Sequence, residues 1–356
     1  MRSSPLKGLA ALVGAITIAL AAAAAAGASG FDVTPLVSNN GVPGTLTDPN
    51  LVNAWGLVAG PTTPWWVADN GSNLATLYTG AGARVNLVVD VGDAPTGIVF
   101  NNTTGFVLPN GSPARFLFDS EAGVISGWNG GTQAQVFRDL SGSGAVFKGL
   151  AIAATSAGPR LYATDFRHSR VDVFDAAGNL VPQPFFAFHD FAIPRMFAPF
   201  GIQAIGSRIY VTYGERQFDS NDEAHGPGLG FVDAYDARTG VLVARVAARG
   251  GLNAPWGLAL APPSFGSAAG DLLVGNFGDG RINAFRLAPG GFPFFGLSAV
   301  PQGQLAAAGG GPITIDGLWS LEFGNGGAAG PTDSLYFTAG PDDESNGLFG
   351  SITAAP

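Results

Sequence analysis

The densest run of oxygen donors in the chain is GERQFDSNDEAHGP at 214–227, and GPDDESN follows at 340–346. Asp219, Asn221, Asp222 and Glu223 in the first stretch, with Asp342, Asp343 and Glu344 in the second, are hard ligands of the kind Ca2+ takes. Their spacing fits a calcium loop poorly. Ala224 stands where the sharp turn of an EF-hand needs glycine, and Gly230 stands where its twelfth-position glutamate belongs. Solvated acidic loops are the competing reading. The three histidines, His168, His189 and His225, follow no metal-ligand spacing. GxSxG, HExxH and P-loop patterns are missing, and with no cysteine a thiol nucleophile is ruled out. No catalytic constellation emerges from residue types alone.

What would position these loops is a unit repeated six times. Glycine followed by Leu or Ile recurs at Gly56, Gly97, Gly149, Gly201, Gly257 and Gly317. Each copy then carries a second apolar run: WWVAD, FLFDS, LYATD, IYVTY, LLVGN and LYFTA. In four copies a polar residue closes this run and an aromatic follows nine positions later, giving Asp69/Tyr78, Asp119/Trp128, Asp165/Phe174 and Asn276/Phe285. The intervening segments alternate apolar and polar residues after a polar turn, the pattern of a β-hairpin. A unit of this size, with three or four short strands, predicts a propeller blade, and six such blades predict a six-bladed, all-β propeller. A long sandwich or solenoid is the alternative. The alternating segment Phe31–Ser38 has no blade of its own, and the sixth unit ends one strand short. Pairing of the two is expected to close the ring and remove two sheet edges.

In this topology the first strand of each blade starts on the face that carries the turn between the second and third strands. The residues before the six glycines, Trp55, Thr96, Lys148, Phe200, Trp256 and Asp316, are then expected around the channel mouth. Trp55, Lys148, Phe200, Trp256 and Asp316 become candidate ligand contacts. Lys148 faces Asp316 across the axis, and the two tryptophans offer flat faces for a sugar. The competing reading turns the aromatic side chains into the blade interfaces as core. The acidic turns, joined by Asp279, should form an arc opposite Arg167, His168 and Arg170, which polarises the face. The repeated Asp69, Asp119, Asp165 and Asn276 read as turn-formers bonded to their own backbone.

Composition narrows the partners. The chain has 356 residues, 46% of them hydrophobic and 12% charged, with 54 glycines, 25 prolines and a net charge of −9. Turn-rich β-structure uses glycine and proline at this rate. Arg2, Lys7, the apolar run Leu9–Ala26 and the small residues Ala26-Gly27-Ala28 follow the order of a secretory signal peptide, assigned to residues 1–28. An uncleaved anchor is the alternative. Loss of the leader leaves 15 basic and 26 acidic residues, a net charge of −11, with Lys148 as the remaining lysine. Nothing in that balance favours nucleic acid. Residues 29–356 are expected to form one exported domain, secreted or extracytoplasmic, with no membrane span and no disulfide.

The units resemble the NHL type of propeller repeat, on WGLV and WWVADNG within 55–71 and on KGLA and LYATDF within 148–166. Over nearly the whole exported chain the sequence is similar to a family of uncharacterised secreted bacterial propellers, on DPNLVNAWGL, FAPFGIQAIGSRIYVTY, GLGFVDAYDARTG and DGLWSLEFGNG. Some members carry a PEP-CTERM tail, whereas this sequence ends at SITAAP. The resemblance implies fold and export and carries no activity with it. Gluconolactonase-type propellers share the six-blade plan, but their channel Glu and Asn metal ligands find no clear match here. The expectation is a binding module for a small polar ligand, glycan or protein, with no resident cofactor beyond Ca2+. A divalent-metal hydrolase or lactonase at the channel and a cell-surface structural module are the alternatives.

Overall fold

The repeated apolar runs form strands because their β-branched and aromatic residues fit a pleated surface buried on both sides. The computed structural model describes Met1 and residues 30–290 and 296–356. Apart from Met1, the leader assigned to 1–28 lies outside the described residues. The strands make six sheets. Their innermost strands, Ala54–Val58, Pro95–Phe100, Phe147–Thr155, Phe197–Ile205, Pro255–Leu260 and Leu318–Phe323, touch one another in ring order, the sixth against the first. The protein is a closed six-bladed β-propeller.

Closure follows the expected route. Phe31–Ser38 runs antiparallel to Leu348–Ala354, from Phe31 opposite Ala354 to Ser38 opposite Leu348. Leu46–Thr47 then adds a parallel fifth strand outside it. The third blade has three strands rather than four. Its fourth position falls to the segment after Leu180, where Val181 N–H still bonds the Val173 carbonyl. Pro182 and Pro184 supply no further donors, so no ladder continues.

Apolar packing repeats with the blades. Six buried clusters each lie between neighbouring blades, such as Trp66, Leu77, Ile98, Phe116 and Phe118 between the first and second. The sixth and first blades share Trp65, Val67, Tyr336 and Phe349 across the closure. A seventh cluster lies on the axis. Hydroxyls on the second strands bind neighbouring inner strands: Thr164 donates to the Phe200 carbonyl at 2.6 Å and Thr338 to the Trp55 carbonyl at 2.5 Å. The repeated glycine permits this approach. A Cβ at Gly201 would collide with the Trp256 carbonyl, and one at Gly56 would meet the Thr96 carbonyl.

One repeat assignment is corrected. In the sixth blade Leu318 pairs with Ala339 and Leu321 with Phe337, just as Ala54 pairs with Asp69 and Leu57 with Val67 in the first. Ser320 therefore occupies the repeated glycine position, and Trp319 rather than Asp316 completes the ring. Gly317 serves the preceding turn, with φ +62° and its Cα against Gly340.

Candidate functional site

The ring at the start of the inner strands is Trp55, Thr96, Lys148, Phe200, Trp256 and Trp319. Its aromatic members pack together instead of opening to a ligand. Trp319 stacks on Trp55 with centroids 3.6 Å apart and on Phe277 at 3.9 Å. Trp256 meets Trp55 edge-on at 6.2 Å, and Phe200 meets Trp319 at 5.9 Å. Trp55 is 2% exposed and Trp256 8%. The sugar-stacking platform expected from Trp55, Phe200 and Trp256 is thus an aromatic plug, because the aromatic side chains of the ring meet on a narrow axis and bury one another. Lys148 lies against its rim, 5.1 Å from the Trp55 ring centroid, and its carbonyl accepts the Trp256 indole N–H at 2.7 Å.

Above the plug, three glutamates from three different blades gather round Lys148. Glu121, in the turn after the second strand of blade two, binds Lys148 Nζ through Oε1 at 2.6 Å. Glu223, from the long turn of blade four, is 4% exposed, and its neighbour Asp222 comes within 3.8 Å of Nζ. Glu344 projects from the turn of blade six and accepts Asn53 Nδ2 at 2.5 Å. A chain of amides organises the group: Trp319 Nε1 donates to Asn53, Asn53 to Asn70 at 3.2 Å, and Asn70 to Glu121 at 3.1 Å. Three successive residues with positive φ, Asp342 (57°), Asp343 (51°) and Glu344 (64°), aim the last glutamate inward. Such backbone is costly for residues with a Cβ and is typical of functional turns.

The charges here are unequal. Burial works against a charged Lys148, but Glu121, Glu223 and Asp222 outweigh it and hold its ammonium above the ordinary value. Burial raises the Glu344 carboxyl, and the nearby charges of Glu223 and Glu121 push it further. The Glu223 hydrogen bond raises His225, with Glu344 and Asp343 adding to it. One lysine and one histidine stand against Glu121, Asp222, Glu223 and Glu344, so the mouth is acidic.

The other expected residues are dispersed. Asp316 is exposed, and its carboxylate accepts the Asp342 N–H at 2.9 Å. Asp219 and Asn221 line a hollow of about 900 Å³ beside Arg167, Arg216 and the exposed Phe218. Asp279 binds its own turn through Asn276 and Arg281. The basic flank is largely self-neutralised: His168 pairs with Asp165, and Arg170 with Asp172 and Asp165. His189 packs on Phe191 and His225 on Phe277, each apart from the other. Among the described residues, no group of three or more His, Asp or Glu side chains is arranged to hold a metal ion. Lys148 occupies the place a cation would take among the glutamates. The repeated acids also differ from expectation. Asp119 Oδ1 reaches the first strand of its own blade, accepting Gly97 N–H at 2.7 Å and the Thr96 hydroxyl at 2.9 Å, and Asp69 is fully buried with both oxygens unpaired. Only Asp165 binds a nearby turn amide, that of His168.

Sequence reasoning missed Asn53, Asn70, Glu121 and Trp319. One signal was available: Asn-Ala stands at the start of the first strand at both 53 and 253, and both asparagine carbonyls accept from their own blade's turn, Asn53 from Asn70 N–H and Asn253 from Gly278 N–H, while the Asn253 side chain also accepts Gly226 N–H from the turn of blade four.

The chain is 33% identical over 341 residues to uncharacterized protein R648 of Acanthamoeba polyphaga mimivirus, covering 90% of this chain and 80% of that protein. Uncharacterized protein L690 of the same virus is 32% identical over 344 residues, covering 90% and 85%. These relatives are viral, whereas the resemblance read from the sequence pointed to bacterial proteins. No family model matches. Among solved structures, a structural genomics protein of unknown function from Bacteroides thetaiotaomicron superposes with a TM-score of 0.56 at 11% identity, over 91% of this chain and 76% of that one. That likeness concerns the fold alone.

Proposed function

The chain belongs to the family of the mimivirus proteins R648 and L690, and from that premise we propose that it is a binding module whose acidic channel mouth takes a cationic group. The ligand class is a small polar molecule or protein segment bearing an ammonium or guanidinium. The observation that carries this reading is the convergence of Glu121, Glu223 and Glu344 on one buried lysine above a rigid aromatic floor. A preformed site with excess carboxylate offers an incoming cation partners already desolvated and fixed, which lowers the ordering cost of binding. Attraction of this kind also steers encounter and weakens with salt.

Calorimetric titration tests it with tri-lysine, tri-arginine and tri-glutamate peptides at low and moderate ionic strength. Binding of the basic peptides, weakened by salt and reduced at least tenfold in Glu344→Gln, is expected. Preference for tri-glutamate, or equal affinity for all three, overturns the reading.

Export is part of the same reading. Its support is the basic start, apolar run and small-residue end of residues 2–28, together with a chain that needs no disulfide. No helix among the described residues is long and apolar enough to cross a membrane. N-terminal sequencing of protein recovered outside the producing cell should begin just after Ala28, and a retained Met1 contradicts it.

A further inference from the structure

The opposite end of the channel has different chemistry. The inner strands of blades one, two, three, four and six end around a funnel of about 370 Å³, walled by Leu57, Val58, Val99, Phe100 and Ile152 among others. Towards the plug it narrows to a neck of only about 30 Å³, room for about one water. Glu322, from blade six, projects into this apolar space, and Gln203 of blade four donates to its Oε2 at 3.1 Å. Among the described residues lining funnel and neck, Glu322 is the only ionisable group; Gln203 and Asn325 are the amides beside it. The chain has only five glutamates, and a carboxylate at this depth faces no cation. Burial accordingly pushes it up to about 7.

We propose that this funnel is a second binding site, separate from the acidic mouth, for a small primary amine with an apolar body. The aliphatic walls take the hydrocarbon, and the ammonium supplies the counter-charge that the Glu322 carboxylate lacks, with Gln203 fixing the carboxylate's orientation. Pockets of this size that are largely apolar, with one charged group and a few polar groups placed at the end, suit such ligands. A neutral alcohol gains the walls but not the ion pair, and a fatty carboxylate meets a like charge.

Calorimetry on the full chain with n-hexylamine, n-hexanol and hexanoate at pH 8 tests the assignment. Hexylamine is expected to bind at least tenfold more tightly than hexanol, and hexanoate more weakly than either. Its affinity should exceed that of n-butylamine and rise from pH 6 to pH 8 as Glu322 ionises. Glu322→Gln should reduce hexylamine to the level of hexanol, and Ala204→Trp, which fills the funnel from its wall and leaves residue 322 a glutamate, should abolish both. No binding, equal affinity for amine and alcohol, or hexylamine binding undiminished in Glu322→Gln overturns the proposal.

Discussion

Asp119 is buried with one oxygen serving Thr96 and Gly97 and the other unpartnered. Desolvation pushes its carboxyl up to about 7, from an ordinary value near 3.8. A carboxyl raised in the folded state favours folding while it stays protonated. Its contribution is present below about pH 4 and is lost as pH rises towards 7. Asp119→Asn keeps the accepting oxygen but removes the titration. Urea denaturation at pH 4 and pH 8 should therefore show a smaller loss of stability with pH in the variant, by about 4 kcal/mol. An unchanged loss contradicts this role for Asp119. Asp233, raised to about 7 by burial, contributes a residual slope. The role of these acids was hidden in the sequence because a hydrogen bond to a neighbouring strand leaves no spacing rule, whereas a turn does. Rarity was the better signal. Three of the chain's five glutamates meet the lysine at 148, and they come from three blades that no local motif connects. Trp319→Ala removes the plug's centre, which stacks on both Trp55 and Phe277. It should cost about 3–5 kcal/mol in chemical denaturation; a loss below about 1 kcal/mol would mean the plug does not stabilise the ring.

At the scale of elements, the inner strand was readable because glycine there answers a steric demand. The Trp256 carbonyl leaves no space for a Cβ at Gly201, so Gly201→Ala should lower the melting temperature and broaden unfolding, and an unchanged melt contradicts the close approach. The same signal misled in the sixth blade. Ser320 replaced the glycine, and a turn glycine three residues earlier, followed by Leu318, imitated the pattern. Asp316 was placed at the mouth by that shift and Trp319 was overlooked. The closing strand was legible for a plain reason: Phe31–Ser38 alternates like a strand and had nowhere else to pair. A chain starting at Asn39 exposes the edge of Leu348–Ala354. It should associate or unfold below the melting temperature of the full protein by size-exclusion and thermal measurements, and a monomer of unchanged stability would remove closure as the reason for that strand.

Across the whole molecule, the axis is divided in three: an acidic mouth, an aromatic plug and an apolar funnel. Six inter-blade cores hold the inner strands in place, so side chains from different blades meet with fixed geometry. That juxtaposition depends on register and ring closure together, which is why the sequence named Lys148, Asp222, Glu223 and Glu344 on that face but not their meeting, and missed Glu121, Asn53 and Asn70. Lys148 acts as the mouth's resident counter-ion, and a cationic ligand competes with it for the same carboxylates. The most direct measurement is the affinity of tri-lysine for Lys148→Gln beside the native chain, with folding of both checked by thermal unfolding. Loss of the resident charge should tighten binding at least tenfold, and the peptide should restore melting temperature to the variant. Weaker binding in Lys148→Gln, or a gain for tri-glutamate in the native chain, would contradict a cation-binding mouth.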